Sequence, residues 1–328
     1  MEKTQNPLRW GVLGAADIAV HKVIPAIKAS REGRVDAIAS RTEDRAKATA
    51  ERLGIPKWFG SYQGLLEDPD IEAVYIPLPN HLHKEWTLAA AAAGKHVLCE
   101  KPLAMSSDDA REMIAACEAA GVKLMEAFMY RLHPMWLKVR SLVDEGEIGD
   151  LVAIQSLFSY YNDDPSDIRN IPEVGGGALY DIGCYPVNVG RMLFGSEPTV
   201  VKSSIRRDAD FGTDTLTSAV LDFAGRHMTF TCSTRMADHQ WVGVQGTTGR
   251  LVVEIPFNIP PDRATRILQY GNGEPSEKIH EIPPTDQYGV QADAFARAVR
   301  DDTPVPTPVV DAVGNLVVIE RIFVDGAG

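Results

Sequence analysis

The sequence contains little cysteine and no cysteine pair of the kind that binds metal or closes short disulfide loops. Its 328 residues include four cysteines, without a C-x-x-C pair and without a histidine–cysteine spacing typical of zinc sites. The N-terminal segment is polar and has no apolar signal sequence. We therefore predict reduced thiols, no metal and a cytoplasmic location.

An excess of positive charge and long apolar runs are also lacking. The chain has 33 Lys and Arg residues against 45 Asp and Glu, and its net charge of −12 argues against nucleic acid as a partner. It has no uncharged apolar stretch of about 18 residues, so we predict no membrane span and no membrane partner. The composition, 45% hydrophobic and 24% charged, is that of a globular protein, and the length suggests two domains.

Strand-like and helix-like segments alternate over residues 1–127, with short connections between them. This pattern is typical of an α/β fold, in which helices cover both faces of a doubly wound parallel sheet. The first 127 residues are therefore predicted to form one domain.

From residue 128 onwards the pattern changes to longer strand-like segments in which apolar and polar residues alternate, such as Leu151–Tyr161. They predict a second, α+β domain over residues 128–328 with a large, mainly antiparallel open sheet. Helical patterns close this domain at Gln287–Arg300 and Val309–Phe323. Residues 256–286 are rich in proline and glycine, and we expect them to form a loop around the sheet edge.

A complete G-x-G-x-x-G fingerprint is missing after the first strand. Gly14 occupies the first position, and alanines occupy the next two. A strand that runs directly into a helix still suits a dinucleotide pyrophosphate, because the helix N-terminus attracts negative charge. We predict cofactor contacts from Gly14, Ala15, Ala16, Asp17 and Ile18; a tight turn without a ligand is the alternative.

The second strand lacks the acidic residue that binds the adenosine ribose in NAD-selective sites. Ser40 and Arg41 follow this strand, and Arg45 comes one helical turn later. A hydroxyl and guanidinium groups suit a 2′-phosphate. We therefore predict that these residues bind NADP, with NAD as the alternative cofactor and a solvated loop charge as the alternative role of Arg41.

Further candidates follow later strands, at the edge where open α/β sheets bind ligands. One segment comes after the apolar run Ala73–Ile76, and Glu100-Lys101-Pro102 comes after His96–Cys99. Two arginines later in the chain are added to them. Together the predicted cofactor contacts are Pro77, Leu78, Asn80, His83, Glu100, Lys101, Arg131 and Arg169. A capping or packing role is the alternative for His83, and a substrate oxygen is the alternative partner of Arg169.

A predicted helix behind three glycines carries Asp181 and Tyr185 on one face, because they are four residues apart. Pro186 should perturb this helix locally. An alcohol that loses a hydride must also lose a proton, but a free tyrosine with a pKa near 10 is a poor base at pH 7. A neighbouring Lys101 ammonium favours the phenolate and lowers that pKa. We predict Lys101, Tyr185 and Asp181 as catalytic residues that also contact the substrate together with Tyr161. Lys101 itself is the alternative proton donor.

Five segments together resemble the Gfo/Idh/MocA oxidoreductases, the family of glucose–fructose oxidoreductase and inositol dehydrogenase. They are Gly14–Ala19, Pro79–His83, Glu100–Leu103, Glu126–Pro134 and Gly175–Asn188. The resemblance implies an N-terminal Rossmann domain, and a C-terminal domain whose open sheet joins a homodimer or homotetramer. It also implies bound NAD(P), hydride exchange with a carbohydrate or polyol substrate, Lys101 as the active-site lysine, and a cis peptide bond before Pro102.

The chain departs from the D-x-G-x-x-x-H pattern of inositol dehydrogenase, because Tyr185 stands four residues after Asp181. It is more similar to the branch of glucose–fructose oxidoreductase, dimeric dihydrodiol dehydrogenase and sugar ketoreductases. This resemblance implies an NADP-dependent sugar oxidoreductase. A trans-dihydrodiol or D-xylose dehydrogenase is the nearest alternative, and a non-catalytic NADP-binding sensor is an alternative of another class.

Overall fold

The chain divides into two compact units. The computed structural model describes residues 4, 6–271 and 277–326. Of these, the first unit contains the residues up to Met129 together with Tyr288–Val313, and the second contains Tyr130–Gln287 and the residues from Gly314 onwards. The sequence predicts a single domain from residue 128 onwards, whereas the structure assigns residues 288–313 to the first unit.

Within its described residues, the first unit contains a six-stranded parallel sheet. Its strands are β1 (Leu8–Leu13), β2 (Gly33–Ala39), β3 (Lys57–Phe59), β4 (Ala73–Ile76), β5 (His96–Cys99) and β6 (Leu124–Glu126). They lie in the order β3-β2-β1-β4-β5-β6, and each neighbouring pair is parallel. The predicted doubly wound sheet is confirmed. Because the strand order reverses between β1 and β4, a crevice opens at their carboxyl ends.

The helices of the described residues follow the predicted alternation in the first unit and are fewer in the second. They are α1 (Ile24–Ala29), α2 (Glu43–Leu53), α3 (Tyr62–Leu66), α4 (His83–Ala92), α5 (Ser107–Ala119), α6 (Pro134–Asp144), α7 (Cys184–Phe194), α8 (Gln287–Arg300) and α9 (Val310–Asp325). In the part of the chain that the structure describes, no helix has both the length and the apolar character needed to cross a membrane.

An apolar cluster explains why the segment after residue 287 belongs to the first unit. Trp10 of β1 and Phe295 of α8 are fully buried, and their ring centroids lie 5.3 Å apart. Ala292 and Ala296 belong to the same cluster, so α8 contributes a stripe at helical spacing. Burial of one aromatic ring contributes roughly 1.5–3 kcal/mol. This packing holds α8 against the first unit although the whole second sheet precedes it in the chain.

Within its described residues, the second unit contains an eight-stranded sheet. Its strands are β7 (Leu151–Tyr161), β8 (Val200–Arg207), β9 (Asp214–Phe223), β10 (Arg226–Ser233), β11 (Arg235–Gly246), β12 (Gly249–Val253), β13 (Thr265–Gly271) and β14 (Glu277–Ile282). Their order is β14-β13-β12-β11-β7-β10-β9-β8, and only the central β10–β7 pair of these described strands is parallel. The predicted mainly antiparallel sheet is confirmed.

The predicted loop over residues 256–286 is wrong where β13 and β14 extend the sheet beyond β12. Residues 272–276 of that prediction lie outside the described residues. Edge strands are partly solvated, so their sequence carries a weaker apolar pattern than central strands do. Proline and glycine near these strands therefore dominated the prediction, whereas the structure depends on the pairing of β13 with β12 and of β14 with β13.

Candidate active site

The turn after β1 lies at the crevice and requires a glycine. Gly14 has φ +122°, and its amide donates to Ala39 O at the end of β2, 2.9 Å away. A Cβ atom at this position would lie 3.0 Å from Leu78 Cδ2. A residue with a side chain would thus be strained in its backbone and crowded against the loop after β4.

The residues after Gly14 form the start of a helix that faces the same crevice edge. A π-helical turn at Ala19–Val23 leads into α1, and Val20 N donates to Ala16 O at 3.0 Å. The amides at the beginning of a helix lack acceptors within the helix and attract anions. The predicted segment Gly14–Ile18 therefore fits the pyrophosphate of a dinucleotide.

Two arginines and a tyrosine surround this turn. Arg45 on α2 donates from Nη2 to Ala15 O at 3.1 Å, and Arg41 is exposed after β2. The Tyr62 hydroxyl lies 4.0 Å from the position of a Cβ atom on Gly14. Burial raises the pKa of Tyr62, and the charges of Arg41 and Arg45 act in the opposite direction. Two cations and a hydroxyl beside the turn suit a phosphate group.

Tyr62 was not among the sequence-predicted site residues. It lies at the start of α3, behind a strand of three residues, and its ring packs edge-on against Trp86 at 4.9 Å. Elements this short show no periodicity, so the sequence carried no signal for its position. Ser40, by contrast, is buried at the end of β2, and its amide donates to Phe59 O at 3.1 Å.

The loop after β5 carries Lys101 and is held at Glu100. The Lys101–Pro102 peptide bond is cis, as the family resemblance implies. Tyr75 of β4 is fully buried and donates its hydroxyl to Glu100 Oε1 at 2.6 Å. The Lys101 amide donates to Glu100 Oε2 at 3.2 Å. Glu100, a predicted cofactor contact, thus also links the lysine loop to the neighbouring strand.

Two further side chains hold the continuation of this loop. Leu103 N donates to Glu126 Oε1 at the end of β6, at 2.8 Å. The His83 ring has no exposed surface; its Nδ1 lies 2.9 Å from Pro102 O and its Nε2 lies 2.8 Å from Leu78 O. Burial lowers the pKa of His83, and the backbone carbonyls act in the opposite direction. That His83 contacts the cofactor stays a prediction; in this structure its ring is enclosed and lies between the two loops. Of the other predicted contacts after β4, Pro77 and Leu78 lie in the loop and Asn80 opens a short turn at Asn80–Leu82.

In the second unit, Asp181 and Tyr185 lie where the sequence predicts, on one helical segment. A π-helical turn at Leu179–Gly183 carries Asp181 and leads directly into α7, which carries Tyr185. Pro186 in the first turn of α7 has no amide hydrogen for the preceding turn, which agrees with the predicted local perturbation.

The Asp181 carboxylate has two partners on neighbouring elements. Tyr160 donates its hydroxyl to Asp181 Oδ2 at 2.5 Å, and Arg169 Nε donates to the same oxygen at 3.1 Å. The Asp181 charge raises the pKa of Arg169. Burial, followed by the Asp181 charge, raises the pKa of Tyr160, so this hydroxyl keeps its proton and remains a donor. The Asp181 side chain is still 18% exposed, so it can reach a ligand.

Two of the predicted contacts have other surroundings than expected. Arg169, predicted to bind the cofactor, pairs with Asp181 and with Asp167 at 3.3 Å. Tyr161, predicted to bind the substrate, is 61% exposed and donates to Asp163 at 3.1 Å. Successive residues of a strand face opposite sides, so β7 directs Tyr160 rather than Tyr161 towards Asp181. The substrate contact of Tyr161 stays a prediction, and Tyr160 is the tyrosine of this strand end that bonds to Asp181.

The Tyr185 ring lies in a cluster of aromatic side chains. It is 5% exposed, and its centroid lies 5.1 Å from Phe257, 5.6 Å from Phe158 and 5.7 Å from Tyr130. Tyr130 in turn donates its hydroxyl to Asn188 Oδ1 at 2.6 Å. This packing fixes the ring plane of Tyr185. Arg131, the remaining predicted contact, lies in the short turn Met129–Leu132.

A buried carboxylate that the sequence did not reveal holds the start of the Asp181–Tyr185 segment. Asp214 on β9 is 1% exposed; its Oδ2 accepts from Leu179 N at 2.8 Å and from Thr217 Oγ1 at 2.9 Å. Burial raises the pKa of Asp214. Gly177 lies against the other oxygen with φ +117°, and its amide donates to Arg169 O at 2.9 Å. Among the described residues, no group of three or more His, Cys, Asp or Glu is arranged to hold a metal ion.

Two family models match the chain. Residues 8–128 match the oxidoreductase family with an NAD-binding Rossmann fold, and residues 136–252 match the GFO/IDH/MocA C-terminal domain.

Curated relatives are similar over most of the sequence. The chain is 42% identical to D-xylose 1-dehydrogenase (NADP(+)) 2 of Haloferax volcanii, over 96% of this chain and 95% of the relative. It is 35% identical to trans-1,2-dihydrobenzene-1,2-diol dehydrogenase of Mus musculus, over 75% of this chain and 74% of the relative.

A solved structure of a 3-ketoreductase from Actinomadura kijaniata, in complex with NADP and TDP-benzene, has a similar fold. The TM-score is 0.92 at 34% sequence identity, with 98% of both chains covered. Further structures of that enzyme, again with NADP and TDP-benzene, contain a tyrosine-to-phenylalanine and a lysine-to-alanine substitution.

Substitution of Gly177 by alanine is expected to destabilise the second unit. The positive φ costs about 1–3 kcal/mol for a residue with a Cβ atom, and the methyl group would collide with the Asp214 carboxylate. Gly212→Ala is the matched control, because Gly212 also has a positive φ, +75°, but its Cβ position has no atom within 4 Å. Denaturant unfolding should show the larger loss for Gly177→Ala. Equal losses would contradict the tight packing of Asp214 against Gly177.

Proposed function

This chain belongs to the Gfo/Idh/MocA family of oxidoreductases, and we propose that it is an NADP-dependent oxidoreductase acting on a sugar or a sugar-like carbonyl. The observation that carries the proposal is the Asp181 carboxylate, held by Tyr160 and Arg169 one turn before Tyr185. A carboxylate and a phenol on one helical face are suited to orient a hydroxyl group and to exchange its proton.

The protein's own residues have distinct roles in this proposal. When bound, the nicotinamide donates or accepts the hydride. Tyr185 gives the proton to the substrate oxygen in reduction and takes it in oxidation. The Lys101 ammonium favours the phenolate of Tyr185 and stabilises charge on the substrate oxygen. Asp181 accepts a hydrogen bond from the substrate and orients it. In the alternative, Lys101 transfers the proton, and Tyr185 stabilises charge on the substrate oxygen.

The Actinomadura kijaniata ketoreductase supports the choice of Lys101 and Tyr185. In its variant structures, the altered lysine and tyrosine are separated by as many positions as Lys101 and Tyr185 are in this chain. Proteins of similar fold and length with that separation are expected to place the two residues on corresponding loops and helices.

Two alternatives remain as proposals of lower support. Similarity to the xylose and dihydrodiol dehydrogenases favours oxidation of a free pentose or a trans-dihydrodiol by the same residues. A sensor without turnover would need only the nucleotide site of the first unit. The bonded network on Asp181 argues against the sensor, because nucleotide binding alone gives no reason to hold that carboxylate in the second unit.

The function predicts a change in absorbance at 340 nm when the protein is given NADPH with keto-sugars, or NADP with aldoses and dihydrodiols. Tyr185→Phe should lower kcat by about 10²-fold or more, because general acid–base catalysis contributes roughly 10²–10⁴-fold. The dissociation constant of NADP should not change, because the substitution removes only a hydroxyl group from the second unit.

Tyr270→Phe is the control for this experiment, because Tyr270 lies on β13 and its ring packs under Arg250. Near-normal kcat in Tyr185→Phe would refute the role of this tyrosine. Tight NADPH binding without turnover on any substrate would favour the sensor.

We also propose that Arg41 recognises the 2′-phosphate of NADP. Arg41→Ala should raise the dissociation constant of NADP by roughly 10- to 100-fold, the loss of one hydrogen bond to a charged group, and leave that of NAD unchanged. Arg34→Ala is the matched control, because Arg34 lies at the opposite end of β2 from Arg41 and pairs with Asp36 at 3.0 Å. Titration by fluorescence quenching measures the NADP and NAD dissociation constants of the wild type and both variants. Equal weakening of NADP and NAD, or tighter binding of NAD by the wild type, would sink this assignment.

The second sheet is proposed to join copies of this chain into a homodimer or homotetramer. Phe158 and Phe230 are buried on one face of the sheet, whereas Leu157 and Trp241 are paired neighbours on the other face, where Val220 is 43% exposed. Light scattering should give a multiple of the chain mass, and Val220→Lys should lower it. A monomeric wild type would contradict the proposal.

A further inference from the structure

One fully buried side chain of the first unit touches both loops that carry predicted site residues. The His83 ring lies at the start of α4, between Leu78 O in the loop after β4 and Pro102 O in the loop after β5. It has no exposed surface, so it cannot touch a ligand in this conformation.

The two contacts of the His83 ring depend on which of its nitrogens carry a hydrogen. Carbonyl oxygens only accept hydrogen bonds, so each contact needs a hydrogen on the facing nitrogen. Both nitrogens lie at hydrogen-bond distance, 2.9 Å and 2.8 Å. A ring that satisfies both carbonyls needs a hydrogen on each nitrogen: the two carbonyls favour this form, whereas burial lowers the pKa of the ring and opposes it. In this form the ring ties the two loops together through backbone atoms that no substitution in those loops would remove.

Each loop reaches a different part of the candidate site. Leu78 packs over the glycine turn after β1, where a Cβ atom on Gly14 would lie 3.0 Å from its side chain. Pro102 follows Lys101 across the cis peptide bond. Two other side chains also hold the lysine loop: Glu126 accepts from Leu103 N, and Tyr75 donates to Glu100. These bonds connect the lysine loop to β6 and β4. The His83 ring contacts both that loop and the loop over Gly14.

We propose that His83 is a positioning residue with two separate effects: its Nδ1 bond to Pro102 O sets the position of Lys101, and its Nε2 bond to Leu78 O sets the loop over the cofactor turn. The inference rests on the proposed function, since it assigns the first effect to turnover. The second effect concerns cofactor affinity alone.

Two amide substitutions separate these effects. The amide nitrogen of asparagine lies where Nδ1 lies in histidine, so His83→Asn keeps a donor for Pro102 O and loses the one for Leu78 O. His83→Gln places its amide nitrogen near Nε2 and does the reverse. We expect His83→Asn to keep kcat within a few-fold while the dissociation constant of NADP rises about tenfold. His83→Gln should keep NADP affinity while kcat falls roughly 10- to 100-fold, because a small displacement of Lys101 misaligns it.

The crossed pattern is what a purely structural role would not produce. A side chain that only stabilised the fold would lower kcat and NADP affinity in parallel, in step with the thermal unfolding midpoint of each variant. Parallel losses, or no change in either variant, would overturn the proposal. Lys84→Met serves as the control on α4, because Lys84 is a surface residue paired with Asp109 and Glu112.

Failure of the proposed function and failure of this inference give different results. Without any turnover in the wild type, the proposed function fails, but the NADP titrations of the two variants still test the bond to Leu78 O. If neither variant folds, ¹⁵N NMR of the wild-type ring decides. Slowly exchanging hydrogens on both His83 nitrogens would support the two bonds, and a bare nitrogen on either side would exclude one of them.

Discussion

Buried polar side chains that bond to loop backbone determine where the candidate catalytic groups lie. A buried donor or acceptor left without a partner costs about 1–3 kcal/mol, so each such group strongly favours the one backbone arrangement that satisfies it. His83 and Glu126 act in this way on the loop of Lys101, and Asp214 acts on the segment of Asp181 and Tyr185. The proposed function gives none of these three side chains a part in proton transfer. Each of them holds the backbone beside a candidate catalytic residue.

The second unit adds an electrostatic constraint to this geometric one. A partly buried carboxylate is stable only when nearby groups compensate the loss of water. Tyr160 and Arg169 provide that compensation for Asp181, and the bonds come from two different elements. The carboxylate is therefore aligned in the absence of a ligand, and in the proposed function a substrate hydroxyl would meet an acceptor that needs no rearrangement. Pre-aligned polar groups of this kind are the main means by which proteins lower barriers for charge development.

Much of the architecture could be predicted from the sequence, because strand and helix periodicities are local. The parallel sheet and the extent of β7 follow from such patterns. The elements whose place in the fold depends on distant residues were not predicted. Strand β13 forms by pairing with β12, and β14 forms by pairing with β13. Helix α8 belongs to the first unit through the contact of Phe295 with Trp10.

The surroundings of the site residues also depend on distant parts of the chain. His83 follows β4 on the side of the sheet where ligands bind, and only the packing of the folded chain shows that its ring is enclosed. Choosing between Tyr160 and Tyr161 required the register of β7 against its neighbours, which a single strand does not reveal. Asp214 could not be identified within its own strand, because its role depends on the amide of Leu179, which lies in another part of the chain.

Of the two arginines beside the cofactor turn, only one is suited to a test of NADP against NAD binding by substitution. Arg45 donates to Ala15 O, so it supports the turn for the pyrophosphate as well as adding positive charge. Its removal would alter a part of the site that NADP and NAD have in common. Arg41 is exposed after β2, at the position where an acidic residue selects NAD in other sites. Since the two cofactors differ only in the 2′-phosphate, substitution of Arg41 is the experiment that tests discrimination between them separately from binding of the shared dinucleotide.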